Sequence, residues 1–432
     1  MAVAWLVFIL YSCWAFLNLK KAILAWMPIR LLFLNRQIAL YYGSPVIYLY
    51  MAIDVLLFLS FMLKYRQLYN ERQIVLEKFP WSSVIILLAS SFFFSQLFST
   101  ISLSSVFFEI VRFFLSNFLF LFLFFIFLKT NQDIKYVLLC SCVVGILLFS
   151  LSFYEIIFKH NPWLDYVWYN SPHEHMRMYY NALAGHSWYR FGFIRAQSFF
   201  CISIFFGVVS TILCFMFILF QEYEKIKKNK RIYIFVALLL FVCVIFSNSK
   251  TPILGALMII FYAIFQNREC TNKRIFIVCL LLFVIYSFMP NAFYNIGSVF
   301  NDDLAEESSG STVEMRSRQF VIGFDMFKLN PLFGNGFGSI SVLKKIGDNS
   351  DILGAESVWL KILPERGLYG AFVYVYSYIY IYIRFKKYIP SFFMFLYLIA
   401  LVFMETATDY IDLSVSGSVL VVFFRFFKLR SA

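Results

Sequence analysis

Hydrophobic positions occur in long, uninterrupted blocks along most of the chain. Many blocks are about 17–25 residues long, which is the length that a helix needs to cross roughly 30 Å of hydrocarbon. The run 113–128 is apolar on every face, whereas a strand of a membrane barrel would alternate apolar and polar residues. Because lipid offers a peptide group no hydrogen-bond partner, such blocks must form helices that pack together. The pattern therefore predicts an all-α polytopic membrane protein.

The blocks predict about twelve transmembrane helices in a single helical membrane domain, residues 1–432. We interpret 2–19 as an uncleaved first span. Residues 22–35 are interrupted by Pro28 and Arg30, and they form either a second span or an interfacial segment. The remaining spans are predicted at 44–63, 82–99, 102–128, 136–157, 196–220, 232–247, 252–266, 275–290, 368–384, 389–407 and 413–427.

The basic residues between the blocks predict the orientation. They concentrate in short loops at 64–78, 225–231, 268–274 and 384–387. Such loops face the cytoplasm, so these loops and the C-terminus are predicted inside, and the formal charge of +13 does not indicate nucleic-acid binding. A composition with 62% hydrophobic and 14% charged residues also excludes a soluble domain.

Two long segments, 159–195 and 291–367, then lie on the outer side. The first contains all four histidines, is rich in aromatic residues, and ends with Arg190 and Arg195. Rings such as Trp188 and Tyr189 suit the faces of sugars, but they equally suit an aromatic belt at the membrane interface. His173 and His175 are two residues apart, which fits no usual metal-binding spacing, so no metal is predicted.

Basic residues recur in the predicted outer segments. The second long segment carries Arg316 and Arg318 before a glycine-rich run, and Lys250 lies in a tight turn between two spans. The planar fork of arginine suits a pyrophosphate. Three separate segments, with Arg195, Lys250 and Arg316, thus predict an anionic ligand at the outer surface. The alternative is that these side chains only reach lipid headgroups or nearby carboxylates.

Among the charged residues within the predicted spans, Asp54, Glu109 and Arg112 stand out. A charge near the bilayer centre costs about 3 kcal/mol on insertion scales, so these side chains are expected to face the bundle interior. Glu109 and Arg112 are three residues apart on one helix face. They either neutralise each other or line a proton or substrate path, as in a transporter.

Four motifs in order resemble the bacterial O-antigen polymerase and ligase family, and Wzy-type polymerases in particular. The resemblance covers about residues 190–385 and implies a GT-C-type architecture, with short helices in the two long periplasmic loops. The motifs are Arg195-Ala-Gln-Ser, Ser247-Asn-Ser-Lys250, Arg316 followed by Pro331-Leu-Phe-Gly334-Asn-Gly336, and Glu365-Arg-Gly367-Leu-Tyr-Gly370.

The departures from the family pattern are informative. Lys250 stands where arginine is commoner, which keeps the charge but loses the bidentate fork. The proline that often follows the first arginine is missing. Ligases typically carry a His-Asn pair where this chain has Glu356 and Ser357. The difference favours a polymerase and makes Glu356 a candidate base.

The resemblance implies a glycosyltransferase that polymerises undecaprenyl-pyrophosphate-linked oligosaccharide repeat units into O-antigen or a related surface polysaccharide. The reaction would take place at the periplasmic face of the bacterial inner membrane. Its catalytic residues would be Glu356, Arg195 and Arg316. Lys250, Arg318, Arg190, Trp188 and Tyr189 would bind the pyrophosphate or the glycan.

No cofactor is implied, because the lipid-linked donor is already activated. The expected partners are the lipid-linked oligosaccharide, membrane lipids and a chain-length regulator protein. Two alternatives remain open: an O-antigen ligase that transfers the glycan to lipid A-core, and a flippase or other transporter of lipid-linked oligosaccharide.

Overall fold

The computed structural model describes most of the predicted helical blocks. The described residues are 2–33, 38–41, 46–74, 77–99, 101–169, 189–190, 193–200, 202–224, 226–265, 313–340, 357–405 and 413–431. Helices predominate, in agreement with the predicted class.

Fifteen α-helices and two short hairpins form the described part of the chain. The helices are α1 (Ala2–Leu17), α2 (Leu19–Arg30), α3 (Leu49–Asn70), α4 (Ser82–Leu97), α5 (Leu103–Phe114), α6 (Phe120–Phe127), α7 (Asn131–Phe158), α8 (Pro162–Tyr169), α9 (Ser203–Tyr223), α10 (Lys227–Phe246), α11 (Lys250–Phe265), α12 (Val313–Leu329), α13 (Val358–Phe385), α14 (Ser391–Glu405) and α15 (Leu413–Ser431). A 3₁₀ turn, Leu31–Phe33, follows α2, and a π-helical turn, Leu115–Leu119, joins α5 to α6. The antiparallel hairpins pair β1 (Ala39–Tyr41) with β2 (Ile47–Tyr48) and β3 (Tyr189–Arg190) with β4 (Phe193–Ile194).

Four helices in the described part of the chain are long and apolar enough to cross a membrane. They are Val106–Phe127, Asn131–Phe158, Ser203–Tyr223 and Lys227–Phe246. They confirm apolar helices at the predicted spans 102–128, 136–157, 196–220 and 232–247. Several boundaries were wrong by a few residues. The span predicted at 44–63 is a helix from Leu49 to Asn70, and α9 begins at Ser203 rather than at 196. The predicted span 275–290 lies outside the described residues, and the total of about twelve spans stays a prediction.

The chain divides into two compact units. Unit 1 consists of Met1–Glu77, Leu115–Glu269 and Asp412–Ala432, and unit 2 consists of Lys78–Phe114 and Cys270–Ile411.

Helix α9 lies at the centre of unit 1. It is apolar around its whole circumference, which is the pattern of a helix enclosed by other helices. The Phe217 ring packs on Tyr233 of α10, and the Phe220 ring packs on Phe423 of α15. The Thr211 hydroxyl donates to the backbone oxygen of Pro252 in α11 at 3.3 Å. Three neighbouring helices are therefore anchored on α9.

Helix α2 is a buried element of unit 1, which bears on the alternative left open for 22–35. It is twelve residues long, so it extends only about 18 Å at 1.5 Å per residue, too short to cross the hydrocarbon core. Nine of its residues are buried, including Trp26 and Arg30. Its charge is compensated, because Arg30 forms an ion pair with Asp54 of α3 at 3.1 Å. The predicted inward orientation of Asp54 is confirmed.

Unit 2 is organised around α13. Trp81, next to the start of α4, packs on Phe385, and the hydroxyls of Ser90 and Tyr369 lie 2.7 Å apart. On another side, Ile322 and Met326 of α12 pack against buried Leu360. The predicted pairing of Glu109 with Arg112 is also confirmed, at 2.7 Å on α5, but the expected inward orientation is wrong for Glu109, whose side chain is 49% exposed because the pair lies at the surface of the unit.

Candidate functional site

Arg195 in unit 1 follows directly after the β3–β4 hairpin, in which Arg190 pairs with Phe193. The next residue, Ala196, donates its N–H to the backbone oxygen of Phe246 at 2.9 Å, and Phe246 is the last residue of α10. This bond anchors the chain beside Arg195 at the end of α10, where the predicted tight turn begins.

The Arg195 guanidinium reaches that turn. Its Nη2 donates to the Ser249 hydroxyl at 3.2 Å, and the Ser249 hydroxyl donates to the backbone oxygen of Ser247 at 3.0 Å. The turn is buried from Ser247 to Ser249, and Asn248 takes a left-handed backbone conformation with φ of 44°. Lys250, the next residue, is the first of α11. Two of the predicted site cations, Arg195 and Lys250, are therefore brought to one turn.

Close packing between helices fixes this turn. A Cβ on Gly207 of α9 would lie 2.7 Å from both Pro252 and the Ser247 hydroxyl oxygen. Real Cβ atoms essentially never make contacts under 3.0 Å, so only glycine fits at this point of α9. The turn that carries Ser249 and Lys250 is thereby held directly against α9.

Glu155 of α7 is a functional candidate that the sequence reasoning missed. Its side chain is 1% exposed, and one carboxylate oxygen accepts hydrogen bonds from the backbone N–H groups of Gln197 and Ser198, both at 2.9 Å. The Asn161 side-chain amide donates to the same oxygen at 3.0 Å and to the Ser198 backbone oxygen at 2.8 Å. Charge-assisted bonds of this kind are about twice as strong as neutral ones, so Glu155 fixes the segment after Arg195 to α7.

One sequence signal could have indicated Glu155. It is an acidic residue near the end of the apolar span 136–157, where an unpaired charge would be unfavourable. The backbone partners lie about forty residues further along the chain, so the sequence alone does not identify them.

In unit 2, residues 331–336 form a glycine-rich turn after α12. The backbone of this turn forms hydrogen bonds with the backbone of the Glu365–Gly370 motif. The bonds run from Asn335 N–H to the Pro364 oxygen, from Gly336 N–H to the Glu365 oxygen and from Leu368 N–H to the Pro331 oxygen, at 2.8, 3.1 and 2.9 Å. Two motifs separated by about thirty residues are thus a single structural element.

The glycines of both motifs are required by that contact. Gly334 and Gly367 have φ of 76° and 62°, a region that side chains disfavour. A Cβ on Gly334 would lie 2.4 Å from the backbone nitrogen of Arg366, and one on Gly367 would lie 2.5 Å from the carbonyl carbon of Leu332. Backbone approaches backbone here, so no side-chain rearrangement could make room.

A buried carboxylate lies at the end of α14. Glu405 accepts hydrogen bonds from the Tyr374 hydroxyl at 2.6 Å and from the Tyr378 hydroxyl. The Ser357 hydroxyl donates to the Glu405 backbone oxygen at 3.3 Å, and Ser357 is also the N-cap residue of α13. The residue that follows Glu356 is therefore anchored to α14. Glu405 was not among the predicted site residues, although its acidic side chain near the end of span 389–407 was a signal.

The structure describes the other predicted site residues to different extents. Arg316 and Arg318 both lie on α12, and Arg318 is exposed. Tyr189 and Arg190 form β3. Trp188 and Glu356 lie outside the described residues.

The comparison with known families identifies the central part of the chain. Residues 235–375 match the family model Wzy_C, described as O-antigen ligase. This segment belongs to the O-antigen ligase and polymerase family. It contains the Ser247–Lys250 turn, α12, the glycine-rich turn and the Glu365–Gly370 motif, whereas Arg195 precedes it. No curated protein matches the chain at a significant level.

The match confirms the family recognised from the four motifs. Members of this family are glycosyltransferase-like enzymes that act on glycans, and with its apolar helices the chain is a membrane protein. The family match does not separate polymerases from ligases.

Proposed function

We propose that the protein is a polysaccharide polymerase that joins oligosaccharide repeat units carried on undecaprenyl pyrophosphate. The observation that carries the proposal is the hydrogen bond from Arg195 to Ser249, beside Lys250. Two cations are held at one buried turn that belongs to the family segment. Such a site suits a leaving group that carries several negative charges.

In the proposed reaction, a hydroxyl oxygen of the new repeat unit attacks the anomeric carbon of the growing glycan. A carbon–oxygen bond forms there, and the bond from the anomeric carbon to the phosphate oxygen breaks. The bonding electrons leave with undecaprenyl pyrophosphate, whose charge Arg195 and Arg316 stabilise, with support from Lys250, Arg318 and Arg190. The proton of the attacking hydroxyl passes to Glu356. Trp188 and Tyr189 bind the glycan.

The choice of a polymerase over a ligase rests on residues 356 and 357. Ligases that this chain resembles typically carry a His-Asn pair where this chain has Glu356 and Ser357. Ser357 caps α13 and donates to the Glu405 backbone, which is a structural role. A glutamate at 356 can accept a proton from a hydroxyl without any histidine. We place the reaction at the periplasmic face of the inner membrane, with a chain-length regulator as a further partner.

The test is polymerisation of a purified lipid-linked repeat unit by the full-length protein in detergent. The wild type should produce a ladder of lengthening glycans, and Arg195→Ala and Arg316→Ala should both lose it. Lys328→Gln is the matched control, since it also removes one positive charge, from an exposed side chain of α12 that pairs with Asp325 at 2.8 Å. This control should keep the ladder.

Two other outcomes would overturn the proposal. Transfer of a single glycan to lipid A-core, without a ladder, would identify a ligase. Movement of the lipid-linked repeat across a vesicle bilayer, again without a ladder, would identify a flippase.

A further inference from the structure

Arg366 of unit 2 occupies an unusual position at a break in α13. The helix is interrupted at Gly367, whose φ is 62° and ψ is −164°, and Arg366 is the last residue before the break. The glycine-rich turn lies against its backbone nitrogen, at the position where a Cβ on Gly334 would not fit. As a result, Arg366 is only 8% exposed, although it belongs to a segment that the sequence predicts to be an outer loop.

The aliphatic part of the Arg366 side chain lies against Gly370. A Cβ on Gly370 would be 2.2 Å from the Arg366 Cβ, 3.4 Å from its Cγ and 3.5 Å from its Cδ. Only glycine at position 370 leaves room for the Arg366 side chain along this path. The last glycine of the Glu365–Gly370 motif therefore gives Arg366 its course into the interior of the unit.

Within the residues that the structure describes, the guanidinium of Arg366 contacts an aromatic ring and forms no ion pair with a carboxylate. Its Cζ lies 4.4 Å from the centre of the Phe92 ring, which is a cation–π contact. The Nε and Nη1 donors are buried, and they make no hydrogen bond within the described part of the chain. Burial lowers the pKa of Arg366, and nearby Glu365 partly opposes this effect by electrostatic attraction.

A buried guanidinium held in this way is costly for the fold. Leaving the buried donors of a charged group without acceptors is strongly unfavourable, because the hydrogen bonds that they made to water are not replaced. A purely structural role would be filled better by an apolar side chain of similar shape. Neighbouring backbone donors are already used, because the N–H groups of Leu368 and Tyr369 donate to the oxygens of Pro331 and Leu332. At this break in α13, the donors that remain for a ligand are therefore the Nε and Nη1 groups of Arg366.

We propose that Arg366 binds an oxyanion of the substrate, either a lipid diphosphate or the carboxylate of an acidic sugar. Both present paired oxygens that match the planar donors of a guanidinium. The inference rests on the proposed function for the identity of the substrate, but the anion site itself does not require polymerisation.

The test measures anion binding by the purified full-length protein in detergent, with farnesyl diphosphate and glucuronate as separate probes. Arg366→Met keeps an unbranched apolar side chain without charge, and Arg366→Lys keeps the charge without the planar fork. Lys328→Gln again serves as the control for loss of one charge. At least one probe should bind the wild type and raise its midpoint of thermal unfolding. Arg366→Met should weaken that probe at least tenfold, Arg366→Lys should weaken it less, and the control should stay within twofold.

The unliganded stability separates this role from a structural one. Without ligand, Arg366→Met should unfold at the wild-type temperature or above, because it removes an unsatisfied buried charge. Loss of diphosphate binding alone would identify the lipid carrier as the source of the oxyanion, and loss of glucuronate binding alone would identify the sugar.

The inference is overturned if neither probe binds the wild type, or if Arg366→Met binds both probes within twofold of the wild type. Should Arg366→Met fail to fold, Arg366→Lys with unchanged affinity overturns it as well. A protein that shows Arg366-dependent anion binding but makes no glycan ladder would refute the proposed function while supporting this site.

Discussion

The Glu155 carboxylate accepts a hydrogen bond from the backbone N–H of Gln197 at 2.9 Å, two residues after Arg195. It accepts a second from Ser198, whose φ of 51° is a conformation that side chains disfavour. Glu155 therefore holds the strained segment 195–198. The first residue of this segment is Arg195, whose guanidinium donates to the Ser249 hydroxyl. The carboxylate acts on the proposed site through the backbone, as a positioning residue.

Replacing Glu155 should lower polymerisation through Arg195. Glu155→Ala removes the acceptor of two backbone N–H groups and should reduce the rate at least tenfold, since bonds to a charged group contribute about 1.5–3 kcal/mol each. Glu155→Gln keeps an acceptor oxygen and should retain part of the activity. The measurement is the initial rate of ladder formation by folded, monodisperse protein.

A double-mutant cycle separates positioning from general damage. If Glu155 acts through Arg195, Glu155→Ala combined with Arg195→Lys, a milder change that keeps the charge and some activity, should be no slower than Arg195→Lys alone. Losses that multiply would show that Glu155 stabilises the fold independently of Arg195, and the positioning role would be wrong.

The motif glycines of unit 2 should be intolerant of a methyl group. Gly334→Ala and Gly367→Ala each place a Cβ about where backbone atoms already lie, in a left-handed conformation that costs alanine roughly 1–2 kcal/mol even without the clash. Both variants should lower the midpoint of thermal unfolding by several degrees.

Gly323 on α12 is the matched control. A Cβ there would have no neighbour closer than 3.6 Å, which is ordinary contact, and alanine favours a helix. Gly323→Ala should unfold at or above the wild-type temperature. Equal midpoints of thermal unfolding for Gly323→Ala and Gly334→Ala would show that the close backbone contact between the two motifs does not form.

The sequence predicted some parts of this molecule well because their determinants are local. The Ser247–Lys250 turn was predicted correctly, since apolar blocks on both sides leave few residues to connect them. The pair Glu109 and Arg112 also followed from helical spacing. The Glu155 contact could not be predicted, because it joins a helix to a backbone segment about forty residues away. The pairing of the two glycine motifs is likewise a contact between distant segments, which a linear motif does not reveal.

Burial of α2 shows a further limit of prediction from hydropathy. Residues 22–35 resemble a weak span because Arg30 and Pro28 interrupt them. In the structure, the charge of Arg30 is satisfied by Asp54, by the Ser116 backbone oxygen and by the Ser414 hydroxyl. These partners come from three separate parts of the chain, so hydropathy assigns a penalty that the folded protein does not incur.

The Arg30–Asp54 pair should be far more sensitive to mutation than the Glu109–Arg112 pair. Side chains of the first pair are 1% and 2% exposed, and Asp54 also accepts from Trp26 Nε1 at 2.7 Å. Asp54→Ala leaves a buried arginine without its anion, which costs about 3–5 kcal/mol. In Glu109→Gln, where the glutamate is 49% exposed, the loss should stay below about 1 kcal/mol. Chemical denaturation in detergent measures the stability of both variants. Similar losses of stability would show that the buried Arg30–Asp54 pair matters no more to the fold than the exposed Glu109–Arg112 pair.

Glu77 should give unit 1 an acid-sensitive contact. Its carboxylate pairs with Lys428 at 2.8 Å and with Arg425 at 3.0 Å. Burial tends to raise the pKa of Glu77, but the hydrogen bond from Lys428 and the charge of Arg425 outweigh it, so the pKa lies below the ordinary value of 4.5. A carboxyl whose pKa is lowered on folding stabilises the folded state above its unfolded-state pKa. That contribution disappears as the pH falls through the lower, folded-state pKa.

The comparison of wild type with Glu77→Gln isolates this effect. Near neutral pH the variant should be less stable, by no more than about 1 kcal/mol because Glu77 and Lys428 are both partly exposed. The difference should persist down to about the ordinary carboxyl pKa and vanish in more acidic solution, since the wild-type carboxyl is then protonated and resembles the amide. Arg112→Gln, at the exposed Glu109 pair of unit 2, is the control for loss of a surface ion pair. A difference between wild type and Glu77→Gln that stayed constant through the acid range would mean that the contact is not ionic.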